Sequence, residues 1–171
     1  MKTLFLQAPS FDGFDGGAGS RYQAKREIRS FWYPTWLAQP AALVPDSRVL
    51  DAPADGVTVE ATLDIAVQYD LVIIHTSTPS FPSDALFAEH LKKRKPSVMI
   101  GLVGAKVAVD PHNSLAATDA VDFVCREEFD YTCKDVAEGK PLKDILGLSY
   151  RLPDGSIIVA WLSERTLKPW A

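Results

Sequence analysis

Short apolar runs alternate with amphipathic segments along the chain, and this alternation predicts an α/β fold. Apolar runs rich in β-branched residues predict strands at 2–7, 48–51, 71–74, 97–100 and 121–125. Such runs are typical of parallel strands that are buried on both faces. Apolar residues at helical spacing predict the main helices at 58–69, 83–95, 111–118 and 131–139. Right-handed crossovers then give a Rossmann or flavodoxin-like five-stranded parallel sheet in the order 2-1-3-4-5.

Hydroxylated residues mark two of the helix starts. Thr58 and Ser83 each precede apolar residues at helical spacing and are the predicted N-caps. A further short helix is predicted over residues 22–29. The aromatic cluster 31–37 leads into a helix that Pro40 starts or kinks.

The pattern changes near the C-terminal end of the sequence. Two alternating segments, 147–152 and 156–161, flank Pro153-Asp154-Gly155, and Asp-Gly between such segments predicts a β-hairpin. We therefore expect an α/β domain over 1–145, followed by a hairpin and linker over 146–171. A linker into a further domain is one interpretation of the Lys-, Pro- and Trp-containing end, and a flexible terminus is the other.

Small and hydroxylated residues end two neighbouring strands of the predicted sheet. Strand three closes on Thr76-Ser77-Thr78, and strand four closes on Gly101-Leu102-Val103-Gly104. Ligands of open parallel sheets bind beyond the carboxyl ends of the strands, and glycine permits close backbone approach. These residues are therefore predicted to line one cleft, and Gly104→Leu is expected to fill it without touching the core.

Composition and charge narrow the classes of partner and site. The chain has 171 residues, is 47% hydrophobic and carries a net charge of -4. The cluster Lys92-Lys93-Arg94-Lys95 suits the last turn of a helix, so no nucleic-acid partner is expected. No apolar stretch approaches the roughly 20 residues of a membrane span, and no signal peptide is recognised, which makes cytoplasm the expected compartment. Cys125 and Cys133 lack nearby paired histidines, and neither a disulfide nor a zinc site is predicted.

Candidate reactive groups each have a structural alternative. His75 ends strand three at the predicted ligand face, where a structural and a functional role are about equally supported. Asp110-Pro111-His112 invites a metal interpretation, but Asp-Pro favours a helix entry. The acidic segment 127–130 could accept ligand hydrogens or cap the following helix. The glycine-rich segment 12–20 lacks a nucleotide-binding motif. No catalytic set and no metal site are predicted.

These features, in this order, resemble the N-terminal cobalamin-binding domain of B12-dependent radical S-adenosylmethionine (SAM) proteins over the whole chain. The segments that carry the resemblance are Leu6-Gln7-Ala8-Pro9, Thr76-Ser77-Thr78-Pro79, Gly101-Leu102-Val103-Gly104, residues 121–130, Gly147-Leu148-Ser149-Tyr150-Arg151 and Asp154-Gly155. Within this group, residues 7–13 and 31–38 look like the hopanoid-biosynthesis-associated radical SAM proteins of type J.

The resemblance implies cobalamin in this domain. It places a [4Fe–4S] cluster and SAM on a radical SAM domain in cis, because the C-x-x-x-C-x-x-C motif is absent from this sequence. The chain is then catalytically silent alone, and the intact protein acts on the polar side chain of a hopanoid lipid. The D-x-H-x-x-G motif after strand one is also absent, which implies base-off cobalamin without a protein histidine; His112 is not assigned that role.

The same resemblance implies a set of cofactor-binding residues at the strand ends and the neighbouring loops. They are Phe11, His75, Thr76, Ser77, Thr78, Gly101, Val103, Gly104 and Glu127. Two alternatives stay open. The first is a cofactor-free docking module that uses the aromatic residues Trp32, Tyr33, Trp36 and Trp170; these residues could instead form a lid over the core. The second is a freestanding flavodoxin-like enzyme, for which no acid–base set converges in the sequence.

Overall fold

A computed structural model describes residues 1–12 and 34–159 of the chain. Its strands are β1 (Thr3–Gln7), β2 (Arg48–Asp51), β3 (Leu71–His75), β4 (Met99–Val103), β5 (Phe123–Cys125), β6 (Leu148–Arg151) and β7 (Ile157–Val159). Its α-helices are α1 (Thr35–Ala42), α2 (Ala52–Asp55), α3 (Val59–Ala66), α4 (Phe81–Arg94), α5 (Ala105–Val109), α6 (Pro111–Ala116) and α7 (Asp130–Ala137). The predicted helix at 22–29 and the residues Trp32, Tyr33 and Trp170 lie outside the described residues.

The strands form one mixed sheet in the order β2-β1-β3-β4-β5-β6-β7. The α/β class and the C-terminal hairpin are confirmed. The count of five strands is wrong, because β6 pairs antiparallel with β5 and β7 pairs antiparallel with β6. The five parallel strands keep their expected relative order within this seven-stranded sheet. The hairpin therefore extends the sheet and covers the edge of β5.

Both faces of the central strands β1, β3, β4 and β5 are buried, as their continuous apolar runs require. In β3, Val72 and Ile74 point to one face, which α3, α4, α5 and α6 cover with residues such as Leu63, Phe87 and Leu115. Leu71 and Ile73 point to the opposite face, beneath α1 and α7. We call these the α4 face and the α1 face. Among the described residues, no helix is both long and apolar enough to span a bilayer.

The helix starts show where local sequence signals work and where they fail. Thr58 caps α3 as predicted, since its side chain accepts a hydrogen bond from the Ala61 backbone N–H. Ser83 is not a cap, because α4 begins two residues earlier and Ser80 occupies its N-cap position. Pro82 then falls in the first turn, where its missing N–H costs no helical hydrogen bond. Pro40 lies inside α1 and does not start it.

The amino ends of β4 and β5 are tied to α4 by an ion pair. Lys92 Nζ lies 2.7 and 2.9 Å from the carboxylate oxygens of Asp122 and 2.6 Å from the Val98 carbonyl. Asp122 also accepts a hydrogen bond of 2.7 Å from the Ile100 backbone N–H. The basic cluster thus closes the helix and anchors the sheet, in agreement with its expected structural role.

Gly101 serves the core and does not line the predicted cleft. It lies within β4, pairs with Ile73 and Phe123 on the two neighbouring strands, and is fully enclosed. A Cβ atom at this position would lie 2.2 Å from two carbons of the Phe123 ring. The ring therefore occupies the space that any other residue at 101 would need.

Gly101→Ala should lower the free energy of unfolding by about 1–3 kcal/mol, because overpacking forces the Phe123 ring out of its position. Urea denaturation measures this change. Phe123→Leu, added to Gly101→Ala, should recover part of the loss, since a smaller side chain leaves room for the methyl group. A Gly101→Ala protein as stable as the parent would contradict this assignment of Gly101 to the core.

Candidate functional site

The loop after β3 is held in place by its own hydroxyl groups. Ser77 Oγ and Ser80 Oγ lie 2.8 Å apart, and Ser80 Oγ accepts a hydrogen bond of 2.9 Å from the Ser77 backbone N–H. The Ser77 carbonyl accepts a hydrogen bond from the Phe81 backbone N–H at the start of α4. Thr76 is fully buried, whereas Thr78 is exposed at the turn. Of the three residues predicted here, Thr78 is the one whose side chain is most available to a ligand.

Gly104 lies directly against this loop at the end of β4. Its φ is +121°, and a Cβ atom would lie 2.2 Å from the Thr76 carbonyl oxygen and 3.3 Å from His75 Nε2. The Thr76 backbone N–H donates to the Val103 carbonyl over 2.8 Å, which closes the two strand ends onto each other. The expectation that Gly104→Leu leaves the fold intact is therefore wrong, because a side chain collides with backbone before it reaches a cleft.

His75 is a titratable side chain at the end of β3, and its orientation is fixed by two neighbours. Its Nδ1 lies 3.2 Å from Gln7 Oε1, and Gln7 Nε2 donates back to the His75 carbonyl over 3.5 Å. The amide oxygen can only accept, so this pairing assigns the proton to Nδ1 and leaves a lone pair on Nε2. The Trp36 ring lies beside the imidazole, with centroids 5.3 Å apart and planes tilted by 36°.

Burial lowers the pKa of His75 from 6.5 to about 4. The charged form is disfavoured because the ring sits beneath Trp36 and has lost most of its contact with water. At neutral pH the imidazole is thus uncharged, and it can accept a hydrogen bond or bind a metal through Nε2.

The remaining predicted site residues lie elsewhere. Val103 is fully buried and packs into the α1 face, so its side chain does not line the edge. Phe11 is 39% exposed, but its ring packs against His90 of α4, with 5.0 Å between the ring centroids. Since α4 and Trp36 lie on opposite faces of the sheet, Phe11 is on the far side from Trp36. The structure brings together His75, Thr76 and Gly104, and it separates them from Phe11.

Glu127 belongs to a second concavity, beyond the end of β5. It is exposed, adopts a left-handed backbone conformation with φ of 51°, and borders a cavity of about 380 Å³. The other lining residues are Arg126, Glu128, Tyr131, Thr132, Asp135, Asp144, Leu146 and Gly147. Burial, followed by the charge of Glu128, raises the pKa of Asp130 at the start of α7. This acidic rim offers hydrogen-bond acceptors at the same edge of the sheet.

Two other candidates are explained by structure. Asp110 and Pro111 begin α6, Asp110 pairs with Lys106 at 3.0 Å, and His112 is exposed. Cys125 and Cys133 are buried free thiols with Sγ atoms 3.9 Å apart. Burial raises the pKa of Cys133, which keeps the thiol protonated. In the ranges 1–12 and 34–159, no group of three or more His, Cys, Asp or Glu side chains could hold a metal ion.

Sequence reasoning missed Gln7 as a site residue, and it left Trp36 with two possible places, a docking surface or a lid over the core. A signal for Gln7 was present, since an amide ends a strand whose other residues are mostly apolar. Gln7 is 1% exposed, and a buried amide needs hydrogen-bond partners. That requirement points to a polar neighbour on an adjacent strand, although not to which one.

Comparison with known proteins identifies one distant relative by sequence and solved structures with a similar fold. No family model matches the chain. The chain is 29% identical over 136 residues to an uncharacterized methyltransferase, PH0819, of Pyrococcus horikoshii, in an alignment that covers 74% of this chain and 30% of that protein.

Three solved structures of one enzyme share the fold. The cobalamin-dependent SAM radical enzyme OxsB, with aqua-cobalamin and SAM bound, matches 95% of this chain with a TM-score of 0.65 and 14% identity. OxsB with aqua-cobalamin alone gives 0.62 over 92% of the chain, at 14% identity, and the apo enzyme gives 0.64 over 95%, at 11% identity. The chain spans 22% of the length of OxsB. These matches establish that the chain shares a Rossmann-like α/β fold with part of OxsB.

The lowered pKa of His75 predicts a specific pH dependence of stability. Between pH about 6.5 and about 4 the unfolded chain binds a proton that the folded chain does not, so stability should fall as the pH is lowered through this window. His75→Gln removes this contribution, so the slope of the free energy of unfolding against pH should decrease in this window. The decrease corresponds to at most one proton in the difference between the unfolded and folded chains. Urea denaturation at several pH values measures both slopes. Equal slopes in the two proteins would show that His75 titrates normally in the fold.

Proposed function

We propose that this chain is the cobalamin-binding domain of a radical SAM enzyme, located in the cytoplasm. The observation that carries the proposal is the carboxyl edge at His75, Thr76 and Gly104, in a chain whose fold matches 95% of its length to OxsB with aqua-cobalamin bound. Open parallel sheets bind ligands at this edge. The relative described as a methyltransferase is consistent with a cofactor-dependent group-transfer enzyme.

The residues at the edge suit a broad ligand that carries amide groups. Gly104 lets the end of β4 lie directly against the loop after β3, which holds His75 and the Thr76–Thr78 loop together at one edge of the sheet. The hydroxyl of exposed Thr78 and the lone pair of His75 Nε2 can accept hydrogen bonds from amides. Glu127 adds acceptors along the rim. Bound cobalamin would supply the cobalt chemistry, while these residues bind and orient it.

The finer parts of the proposal concern the intact protein. A radical SAM domain in cis would carry the [4Fe–4S] cluster and SAM, with residues 1–145 as the cofactor domain and 146–171 leading toward it. The substrate would be the polar side chain of a hopanoid lipid. This substrate class rests on the resemblance at residues 7–13 and 31–38. A cofactor-free docking module with the same fold is the alternative, and cobalamin binding distinguishes the two.

The chain should retain hydroxocobalamin through gel filtration, with a changed visible absorption spectrum. Thr78→Trp should weaken binding at least about tenfold, because a large side chain then blocks the exposed turn beside Gly104. Ser97→Trp is the matched control: Ser97 is also exposed but precedes β4, at the opposite end of the sheet. Equilibrium dialysis gives the dissociation constants. A parent chain that retains no cobalamin would favour the docking alternative, and equal losses in both variants would place the site elsewhere.

The chain alone should not cleave SAM under anaerobic, reducing conditions. A polypeptide that carries this domain together with a radical SAM domain should cleave it. Liquid chromatography of 5′-deoxyadenosine measures the product. Cleavage by the chain alone would overturn the assignment of SAM chemistry to another domain, as would a longer protein that holds no iron–sulfur cluster.

A further inference from the structure

The cavity beyond the end of β5 has exposed apolar side chains at its rim. Tyr131 of α7 is 70% exposed and Leu146, in the segment before β6, is 52% exposed, and both border the cavity of about 380 Å³ that Glu127 also lines. Exposed apolar side chains grouped together and rimmed by polar residues are typical of an interaction surface. We call Tyr131 and Leu146, with the neighbouring carboxylates Glu128 and Asp144, the α7 surface.

The walls of the α7 surface are held in place by hydrogen bonds. The Thr132 hydroxyl donates to the Leu146 carbonyl over 3.1 Å, which ties α7 to the segment before β6. The Arg126 backbone N–H donates to the Gly147 carbonyl over 2.8 Å, which ties the same segment to the end of β5. The surface is therefore formed in advance, and little of it has to be ordered when a partner binds.

The cavity carries an excess of negative charge. Its charged lining residues are Glu127, Glu128, Asp135, Asp144 and Arg126. Asp135 forms an ion pair with Lys140, which lies outside the cavity, whereas Glu128 and Asp144 are exposed. A partner that carries basic and apolar side chains together fits this combination of charge and exposed apolar area.

The chain leaves its described part at this same edge of the sheet. β7 runs antiparallel to β6, so Val159 pairs with Ser149, which pairs in turn with Val124 near the end of β5. Two further residues in the direction of β7 bring the chain level with Gly147, which lines the cavity. The residues that follow Val159 therefore start within reach of the α7 surface.

We propose that residues 160–171 dock on the α7 surface of the same molecule. The charged residues of this segment are Glu164, Arg165 and Lys168, and its large apolar residues are Trp161, Leu162, Leu167 and Trp170. The two basic side chains supply the positive charge that the cavity lacks, and the tryptophan and leucine side chains cover Tyr131 and Leu146. Docking here leaves the edge at Thr78, which follows β3, open to a ligand, because β3 and β5 are separated by β4.

Photo-crosslinking from position 131 tests where the segment lies. In the full chain, p-benzoylphenylalanine replaces Tyr131, and mass spectrometry identifies the peptides that irradiation joins. We expect monomeric products joined to residues 160–171. Val109 is the matched control position, because it is 87% exposed but lies on α5, and a label there should not reach the segment. Equal crosslinking from the two positions, or none from position 131, overturns the proposal. Dimeric products also overturn it, since they place the segment on a second copy of the chain.

Trypsin measures how firmly the segment is held. Within residues 160–171 it cleaves after Arg165 but not after Lys168, because Pro169 follows. Cleavage after Arg165 in the full chain should be at least about tenfold slower than in a synthetic peptide of residues 160–171, since a docked segment must open first. Equal rates in the chain and in the peptide overturn docking.

Matched variants locate the protection on the α7 surface. Leu146→Asp should remove most of the protection, whereas Val109→Asp, the same change at an exposed position of α5, should keep it. Asp144→Lys should lower the protection about threefold, the effect of losing an exposed ion pair. Asp55→Lys, the same change in α2 beside the edge strand β2, should leave it unchanged. Equal effects within either pair of variants overturn the assignment of the docking site.

Neither measurement involves cobalamin, so docking and the proposed function can fail separately. An undocked segment in a chain that retains cobalamin overturns docking and leaves the proposed function standing. A docked segment in a chain that retains no cobalamin supports docking and overturns the proposed function.

Discussion

The contact between Gly104 and the Thr76 carbonyl is the constraint on which the carboxyl edge depends. A side chain at 104 would collide with this carbonyl, and a φ of +121° would strain any residue that has one. Glycine lets the end of β4 lie directly against the loop after β3, where the Thr76 backbone N–H reaches the Val103 carbonyl. With the strand ends closed in this way, His75 Nε2 lies against the backbone of Gly104. The arrangement of the candidate site is therefore set first by backbone contacts and only then by its side chains.

Apolar, charged and uncharged polar side chains occupy different parts of the sheet. Its two faces are each covered by a cluster of buried apolar residues. At the amino end, Lys92 and Asp122 use their charges to tie α4 to the strands. The polar groups at the carboxyl end are less completely committed, since Thr78 is exposed and Nε2 of His75 is unpaired within the described part of the chain. The ion pair that ties α4 to the strands thus lies at the opposite end of the sheet from the candidate site.

The sequence predicted what burial and periodicity control. The apolar runs marked the five parallel strands because burial on both faces demands such runs, and the parallel arrangement placed His75 and Gly104 at one edge. The sequence pattern could not predict which residues far apart in the chain come into contact. Gly101 and Gly104 look alike in sequence, but they have different neighbours. The missing side chain at Gly101 makes room for the Phe123 ring, and the missing side chain at Gly104 makes room for the Thr76 carbonyl. Pairing of the hairpin with β5, which makes the sheet seven-stranded, likewise depends on tertiary contacts and not on the turn signal.

A structural role alone accounts poorly for His75. The space beneath Trp36 could be filled by leucine or methionine without the cost of burying a polar ring. The chain instead places two polar residues there, since the register that pairs Leu6 with Ile74 brings Gln7 beside His75. Each satisfies part of the other's hydrogen-bonding requirement, which removes much of that cost. What the pair achieves beyond filling space is a fixed ring with a lone pair on Nε2. Preorganisation of this kind is what a binding residue needs from its supporting neighbours.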